Sequence, residues 1–282
     1  MSGACRKYKT IIEMIDSKTQ SELRSKYNPE GSDLRNAQLR MLEILKYIDR
    51  VCRDNNLTYW LSSGTLLGAV RHQGFIPWDD DLDIEMPIKD YRRFKNILKK
   101  EHGQFVLQDH ESDRNYYFAY PKVRDTHSLC INEMEVDDKY FNYKGLWVDI
   151  FVLEENPRWL QILSWYLYSY GRRIITCNHS RFLHIIADIR HYICIYIIFP
   201  LIRLIAMFCR PSYFTKILGS EYPSIRRKEY MKESIELKFE DGYFFVPKGY
   251  EGVLNDMYSF DYRQLPPEHL RGGHYMKFKY IQ

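Results

Sequence analysis

One segment of the chain, residues 60–86, reads WLSSGTLLGAVRHQGFIPWDDDLDIEM and holds most of the information about the fold. Residues 58–61 favour a strand, and the small polar residues at 62–64 predict a turn after it. Apolar side chains then recur at helical spacing until Gly74, where the pattern ends. The segment therefore predicts a strand, a turn of small residues and a helix in immediate succession.

Two aspartates follow, Asp81 and Asp83, in a stretch that alternates charged and aliphatic side chains. Alternation with a period of two is typical of a strand, in which such residues project to the same face about 7 Å apart. Two carboxylates placed in this way can hold Mg²⁺ or Mn²⁺, whose other ligands are commonly water and substrate phosphates. A solvated strand end is the alternative, and the pair alone leaves both interpretations open.

Two further features favour phosphoryl chemistry. Asp149 lies in an otherwise apolar segment, residues 145–151, where an unpaired charge is costly unless it serves a metal or a hydrogen-bond network. It is therefore the candidate for a third carboxylate. The turn at 62–65 lies between a strand and a helix, where free N–H groups can bind phosphate oxygens.

Around this segment the chain alternates helical and strand patterns. Apolar residues at intervals of three and four predict an amphipathic helix over 33–56, capped by Ser32 or Asp33, and a second helix over 88–100. Aromatic, β-rich segments follow at about 105–109, 116–124, 128–134 and 145–152. The predicted fold class is α/β, a mixed sheet flanked by helices, with a helical insertion that is both basic and apolar.

Composition and charge exclude several classes of protein. Of the 282 residues 45% are hydrophobic and 28% charged, which excludes a disordered or low-complexity chain. The net charge is only +4, so a dedicated nucleic-acid-binding protein is not expected. The first eighteen residues contain no apolar run followed by a cleavage site, and we therefore expect a cytoplasmic protein.

The basic excess is concentrated in residues 158–210, which contain seven Arg, one Asp and neither Lys nor Glu. Residues 192–208 are mostly aliphatic and aromatic, but Pro200 and Arg203 interrupt them, so we expect no span of a bilayer. Helices lying on an anionic membrane surface fit this composition, which predicts a peripheral location on the inner face. A core helix with snorkelling arginines is the alternative.

The segment 60–86 resembles the signature of the LicD family, relatives of the fukutin-type proteins within the nucleotidyltransferase fold. Later segments that resemble the family's motifs are 120–125, 246–250 and 265–267. The resemblance implies a nucleotidyltransferase-like core in which Gly64 and Thr65 form the phosphate-side turn. It also implies that Asp81, Asp83 and Asp149 are the catalytic and metal-binding residues. The residues expected to bind the donor are Ser63, Gly64, Thr65, Arg71, Lys122 and Arg124.

The function implied is the metal-dependent transfer of a phosphorylated alcohol, above all phosphocholine, from a CDP-activated donor to a hydroxyl of a cell-surface glycan. The acceptor would be a lipopolysaccharide, a teichoic acid or a lipid-linked glycan, and CMP would be released. Two alternatives stay open: a nucleotidyltransferase that uses an NTP and releases pyrophosphate, and a non-catalytic, membrane-associated glycan assembly factor. The expected division of the chain is an N-terminal extension, a catalytic core, a membrane-interface or acceptor-side region and a segment packing back on the core, at 1–32, 33–157, 158–235 and 236–282.

Overall fold

The computed structural model describes residues 15–101, 103–130, 141–177, 181–272 and 278–280. The chain begins with α1 (Ser17–Tyr27) and α2 (Asp33–Asp54). Ser32 caps α2 by accepting a hydrogen bond from the backbone N–H of Arg35 at 3.2 Å. The helix predicted over 33–56 is therefore confirmed, together with its cap.

The other elements continue the predicted alternation of helix and strand. Those of the first half are β1 (Trp60–Leu61), α3 (Ser63–His72), β2 (Asp83–Pro87), α4 (Ile88–Leu98), β3 (Phe105–Gln108), β4 (Lys122–Asp125), β5 (Ser128–Cys130) and β6 (Trp147–Glu154). Those of the second half are α5 (Arg158–Cys177), α6 (Arg181–Ile193), a π-helical segment (Cys194–Ile198), α7 (Phe199–Cys209), β7 (Tyr213–Lys216), β8 (Ile225–Arg227), β9 (Ser234–Phe239), β10 (Gly242–Pro247), α8 (Tyr250–Met257), a 3₁₀ turn (Glu268–Leu270) and β11 (Phe278–Tyr280). The α/β class is confirmed. The strand predicted at 116–124 begins only at Lys122, and part of the one predicted at 128–134 lies outside the described residues.

Seven strands form one mixed sheet. Its main order is β1-β2-β6-β4-β3; β7 pairs with the end of β6, and β8 pairs with β7. β2 runs parallel to β6, whereas the other pairings are antiparallel. All eight residues of β6 are buried, so this strand is the centre of the sheet.

The two faces of this sheet differ in chemistry. Ile84, Val148 and Ile150 point to one face and belong to the same apolar core as buried residues of α2 and α4. Successive residues of a strand project to opposite faces. Asp83 and Asp149, which neighbour these residues in sequence, therefore lie on the other face, away from the apolar core.

The basic and apolar insertion contains one long helix. The π-helical segment joins α6 to α7, so the helix runs without interruption from Phe182 to Cys209, 28 residues. The expectation that Pro200 interrupts it is wrong, because Pro200 lies in the first turn of α7, directly after the π-helical turn, where a missing N–H is tolerated. At 1.5 Å per residue the helix is about 42 Å long, against about 30 Å for a bilayer core. By length and composition it could cross a membrane.

Most of the apolar side chains on this helix are exposed. Only 22% of the most apolar 18-residue stretch of this helix is buried, whereas a core helix, the alternative interpretation, would be mostly buried. The largest exposed fractions belong to Phe182, Tyr196, Met207 and Phe208, at 67%, 71%, 70% and 84%. Arg203 fixes the helix to the central strand: its Nε and Nη2 donate to the carboxylate of Glu154 at 2.9 and 2.7 Å.

A buried ion pair joins α2 to the end of β4. Arg40 Nε and Nη2 donate to the carboxylate oxygens of Asp125 at 2.8 and 3.0 Å, and the Asp125 side chain is fully buried. Burial alone would raise the pKa of Asp125, but hydrogen bonds from Arg40 and Ser128 lower it below its usual 3.8. The pair therefore stabilises the fold in the ionised state of Asp125.

We expect Asp125→Asn to lower the free energy of unfolding by about 3 kcal/mol, because it removes the buried charge partner of Arg40 and leaves only its pair with the exposed Glu43. Since folding lowers the pKa of Asp125, this stabilisation is complete above the pKa of the unfolded chain and is lost as the pH falls through the folded pKa. Urea unfolding from neutral to acidic pH measures both effects. Lys46→Gln is the control, because it breaks an exposed pair with Asp241 and should cost less than about 1 kcal/mol. Equal effects of the two substitutions would contradict the assignment.

Candidate active site

The turn of small residues is attached to the start of β2. The backbone N–H of Ser62 donates to the carbonyl of Asp83 at 3.0 Å, and the N–H of Asp83 donates to Thr65 Oγ1 at 2.9 Å. Ser63, at the start of α3, has a φ of 50°. A non-glycine residue in this left-handed region is strained, which is common at functional sites.

Gly64 permits a close approach of a carboxylate to this turn. A Cβ atom at this position would lie 2.5 Å from Asp79 Oδ2, which is closer than real contacts allow. Only glycine therefore lets Asp79 lie against the N-terminus of α3, where backbone N–H groups favour negative charge. The turn predicted to bind phosphate thus lies directly beside the acidic cluster.

The parallel pairing of β2 and β6 brings two of the predicted carboxylates together. Asp83 and Asp149 are direct partners across these strands and lie on the same face. They are 7% and 9% exposed, so their charges are largely removed from water. Strand β2 begins at Asp83, two residues later than the alternation predicts, and Asp81 therefore reaches the cluster from the preceding loop.

The carboxylates in this cluster disfavour each other's charge. Burial raises the pKa of Asp79 well above its usual 3.8, and the neighbouring charges of Asp81 and Asp83 raise it further. Burial also raises the pKa of Asp83, with contributions from Asp81 and Asp149, while Lys216 and a hydrogen bond from Ser63 oppose the shift. A cation bound among these groups would relieve the repulsion.

Two residues on the same face of the sheet, Lys122 and Trp147, contact the carboxylate of Asp149. Lys122, its partner on β4, places Nζ 3.1 Å from Oδ1, and Trp147 Nε1 donates to Oδ2 at 3.2 Å. The same ammonium lies 4.1 Å from the Trp147 ring centroid. Lys122, predicted as a donor-binding residue, is thus beside the acids and orients one of them.

Lys216 is a site residue that sequence reasoning missed. It pairs with Leu153 at the end of β6 and therefore lies on the acidic face of the sheet. Burial lowers its pKa from 10.5 to about 8, although Glu85, Asp83 and Asp149 act in the opposite direction. No local signal marks it, because it follows the apolar helices by only a few residues and its pairing with β6 is non-local.

A second buried pair lies on the same face. Arg226 Nη2 is 2.7 Å from Glu85 Oε1, and the two side chains are 4% and 2% exposed. Glu85 is two residues after Asp83 on β2, and Arg226 belongs to β8. Residues that come late in the sequence therefore complete the charged face.

The two other predicted cations, Arg71 and Arg124, are buried and hydrogen-bonded to protein groups. Arg71 Nη1 donates to the carbonyls of Tyr262 and Gln264 at 2.8 and 2.9 Å, and burial lowers its pKa to about 10. It therefore holds the C-terminal segment against α3.

Arg124 makes comparable contacts within the sheet. Its Nε donates to Gln108 Oε1 at 2.7 Å and its Nη1 to the Gly145 carbonyl at 2.8 Å. The residue is 1% exposed. Both guanidinium groups are thus hydrogen-bonded to protein groups. Donor binding by Arg71 and Arg124 stays a prediction.

The suitability of the cluster for a metal follows from its donor set. Over the described residues, no three His, Cys, Asp or Glu side chains stand close enough together to form a metal site by themselves. Asp81 and Asp83 supply the hard oxygen ligands that Mg²⁺ and Mn²⁺ prefer, and substrate phosphates and water commonly supply the rest. The residues present therefore fit a cation that binds together with a phosphorylated substrate.

Comparison with known proteins gives a consistent result. The family model described as LicD/FKTN/FKRP, nucleotidyltransferase domain, matches residues 56–178. The chain is 28% identical to the lipopolysaccharide cholinephosphotransferase LicD of Haemophilus influenzae over 271 residues, covering 88% of this chain and 98% of that protein. It is 36% identical over 64 residues to the human ribitol 5-phosphate transferase FKRP, covering 23% and 13% of the two chains. It is 40% identical over 105 residues to the mouse ribitol-5-phosphate transferase FKTN, covering 36% and 21%.

The electrostatics of the cluster predict opposite effects of two isosteric substitutions on stability. Asp83→Asn removes one of several mutually repelling buried charges, so in EDTA at neutral pH it should raise the free energy of unfolding by about 1 kcal/mol or more. Asp149→Asn should lower it, because Lys122 loses its charge partner. Because folding raises the pKa of Asp83, the gain should vanish as the pH falls below the pKa of the unfolded chain. Urea unfolding measures both variants, and a loss of stability in both would contradict the repulsion.

Proposed function

Because the chain belongs to the LicD family, we propose that it is a phosphotransferase that moves a phosphorylated alcohol from a CDP-activated donor to a glycan hydroxyl. Phosphocholine is the group we propose, and CMP is the product. The observation that carries the proposal is the pairing of Asp83 with Asp149 beside the turn at 62–65. The near full-length similarity to a cholinephosphotransferase supports the choice of alcohol.

The chemistry follows from the charges around the turn. A glycan hydroxyl oxygen attacks the phosphorus that carries the alcohol, the bond from this phosphorus to the bridging oxygen breaks, and CMP leaves with that oxygen. Asp81 and Asp83 would hold Mg²⁺ or Mn²⁺, which neutralises the donor diphosphate. Asp149, oriented by Lys122 and Trp147, would accept the proton of the attacking hydroxyl.

The donor phosphates would be bound by the N-terminus of α3. Its free N–H groups and the Ser63 hydroxyl provide donors directly beside the carboxylates. Gly64 lets Asp79 lie against this N-terminus, and Thr65 contributes indirectly, because its hydroxyl accepts the N–H of Asp83. A donor diphosphate is therefore placed between the turn and the metal.

The description of the matched family model favours a second candidate, a nucleotidyltransferase that uses an NTP. The two reactions differ in their products. Incubation with Mg²⁺, a glycan acceptor and CDP-choline, CDP-ethanolamine, CDP-ribitol or CDP-glycerol should release CMP under the first proposal. Release of pyrophosphate from an NTP, without CMP from any CDP-alcohol, would favour the second candidate.

We also propose that the protein works at an anionic membrane surface on the cytoplasmic side. The exposed apolar helix Phe182–Cys209 supports this, since so much apolar surface is unfavourable in water. Arg158 at the start of α5 and Arg210 after α7 are exposed and suited to anionic headgroups. A peripheral enzyme of this kind could reach a lipid-linked glycan.

We expect Asp81→Asn and Asp83→Asn each to lower CMP release by about 10³-fold, because each removes a metal ligand without a change in volume. Asp149→Asn should have a similar effect. Asp241→Asn is the matched control, because Asp241 lies outside the acidic cluster and forms an exposed pair with Lys46. Turnover is measured at saturating Mg²⁺ on variants shown to be folded. Wild-type rates with either ligand variant would exclude the assigned metal ligands.

We expect the protein to co-sediment with phosphatidylglycerol-containing vesicles. Arg158→Gln/Arg210→Gln should remove mainly the salt-sensitive part of binding, at about 1 kcal/mol per charge. Leu204→Asp/Phe208→Asp should remove the salt-resistant part and leave the fold intact, because these side chains are 53% and 84% exposed.

The matched control for the aspartate pair is Tyr243→Asp/Leu270→Asp, since these residues are 63% exposed and lie outside the helix. This control should bind like the wild type. Wild-type protein that stays in the supernatant at low salt would contradict the membrane proposal.

A further inference from the structure

Three aromatic side chains lie next to the acids on the charged face of the sheet. Phe151 is two residues after Asp149 on β6, and Tyr120 and Tyr222 pack against it. The three ring centroids are 5.2, 5.7 and 5.9 Å apart in pairs. We call Tyr120, Phe151 and Tyr222 the aromatic corner.

A cation already lies on this corner. The ammonium of Lys216 is 3.0 Å from the ring centroid of Phe151 and 5.3 Å from that of Tyr222. The faces of aromatic rings attract organic cations, and quaternary ammonium groups are commonly bound in this way. The corner therefore has the chemistry of a site for an ammonium group, with Lys216 as its internal occupant.

The carboxylates around the corner favour a cation at the same place, whereas Arg226 opposes one. Glu85, Asp83 and Asp149 all act on Lys216 in the direction that stabilises its positive charge. Tyr222 is 44% exposed, so the corner opens to solvent on one side. Phe151 and Tyr120 are each 7% exposed, so a headgroup reaches the face of Phe151 only when Lys216 moves away from it.

The position of the corner matches the geometry of the proposed donor. Asp149 and Phe151 project to the same face about 7 Å apart, as residues i and i+2 of one strand do. The phosphorus under attack would lie beside Asp149. A charged headgroup a few bonds away from that phosphorus would reach the face of Phe151.

We propose that the aromatic corner binds the cationic headgroup of the transferred alcohol and that Lys216 is displaced when this headgroup binds. The displaced ammonium stays near Asp83 and Asp149. A neutral polyol headgroup has no charge for the rings and leaves Lys216 in place. The inference rests on the proposed function and assigns its alcohol specificity to Phe151, Tyr222 and Lys216.

Binding of CDP-choline and CDP-glycerol to the full chain, by calorimetry with Mg²⁺, tests this assignment. Tyr222→Leu should weaken CDP-choline binding about tenfold and change CDP-glycerol binding less than about twofold. Tyr243→Leu, a 63% exposed tyrosine on β10, is the matched control and should change neither. Equal weakening of both donors by Tyr222→Leu would overturn the inference.

Lys216→Met tests displacement separately. Without the competing ammonium, CDP-choline should bind at least about threefold more tightly, while CDP-glycerol should not gain. Equal loss of affinity for both donors would make Lys216 a phosphate ligand and overturn its role as a displaceable occupant. Wild-type protein that binds neither donor would contradict the proposed function itself. Binding of both donors with no effect of Tyr222→Leu would contradict only the assignment of headgroup binding to the aromatic corner.

Discussion

The pairing of β2 with β6 is the constraint on which the remainder of the structure depends. It places the apolar residues of both strands against α2 and α4, and in the same register it sets Asp83 beside Asp149. A shift of one residue would exchange the two faces and bury the acids in the apolar core. The register that builds the apolar core therefore also builds the charged face. The free energy gained by burying apolar side chains on one face offsets the electrostatic repulsion between the carboxylates on the other.

That repulsion explains why so many cations surround the acids. Lys122 comes from β4, Lys216 from β7 and Arg226 from β8, and each faces a carboxylate on β2 or β6. Asp79 and Asp83 nevertheless keep raised pKa values, so the protein cations neutralise the cluster only in part. The remaining negative charge is what a metal and an ammonium headgroup would use.

The sequence predicted the elements whose patterns are local. The helix over 33–56 and the strand around Asp149 follow from apolar periodicity, and the turn at 62–65 follows from its small residues. Lys216 and Tyr222 could not be found, because strand pairing across more than sixty residues brings them to Phe151 and Leu153. The interruption predicted at Pro200 was wrong for a related reason. A π-helical turn before Pro200 keeps the helix continuous, and the sequence pattern does not predict such a turn.

The ion pair between Arg203 and Glu154 has a mechanical consequence. Glu154 is five residues beyond Asp149 on β6, about 17 Å along a strand that is buried throughout. If the exposed helix lies on a bilayer, this buried strand would hold the acidic cluster at a fixed distance from the lipid. Acceptor hydroxyls would then be selected by their distance from the membrane as well as by their chemistry.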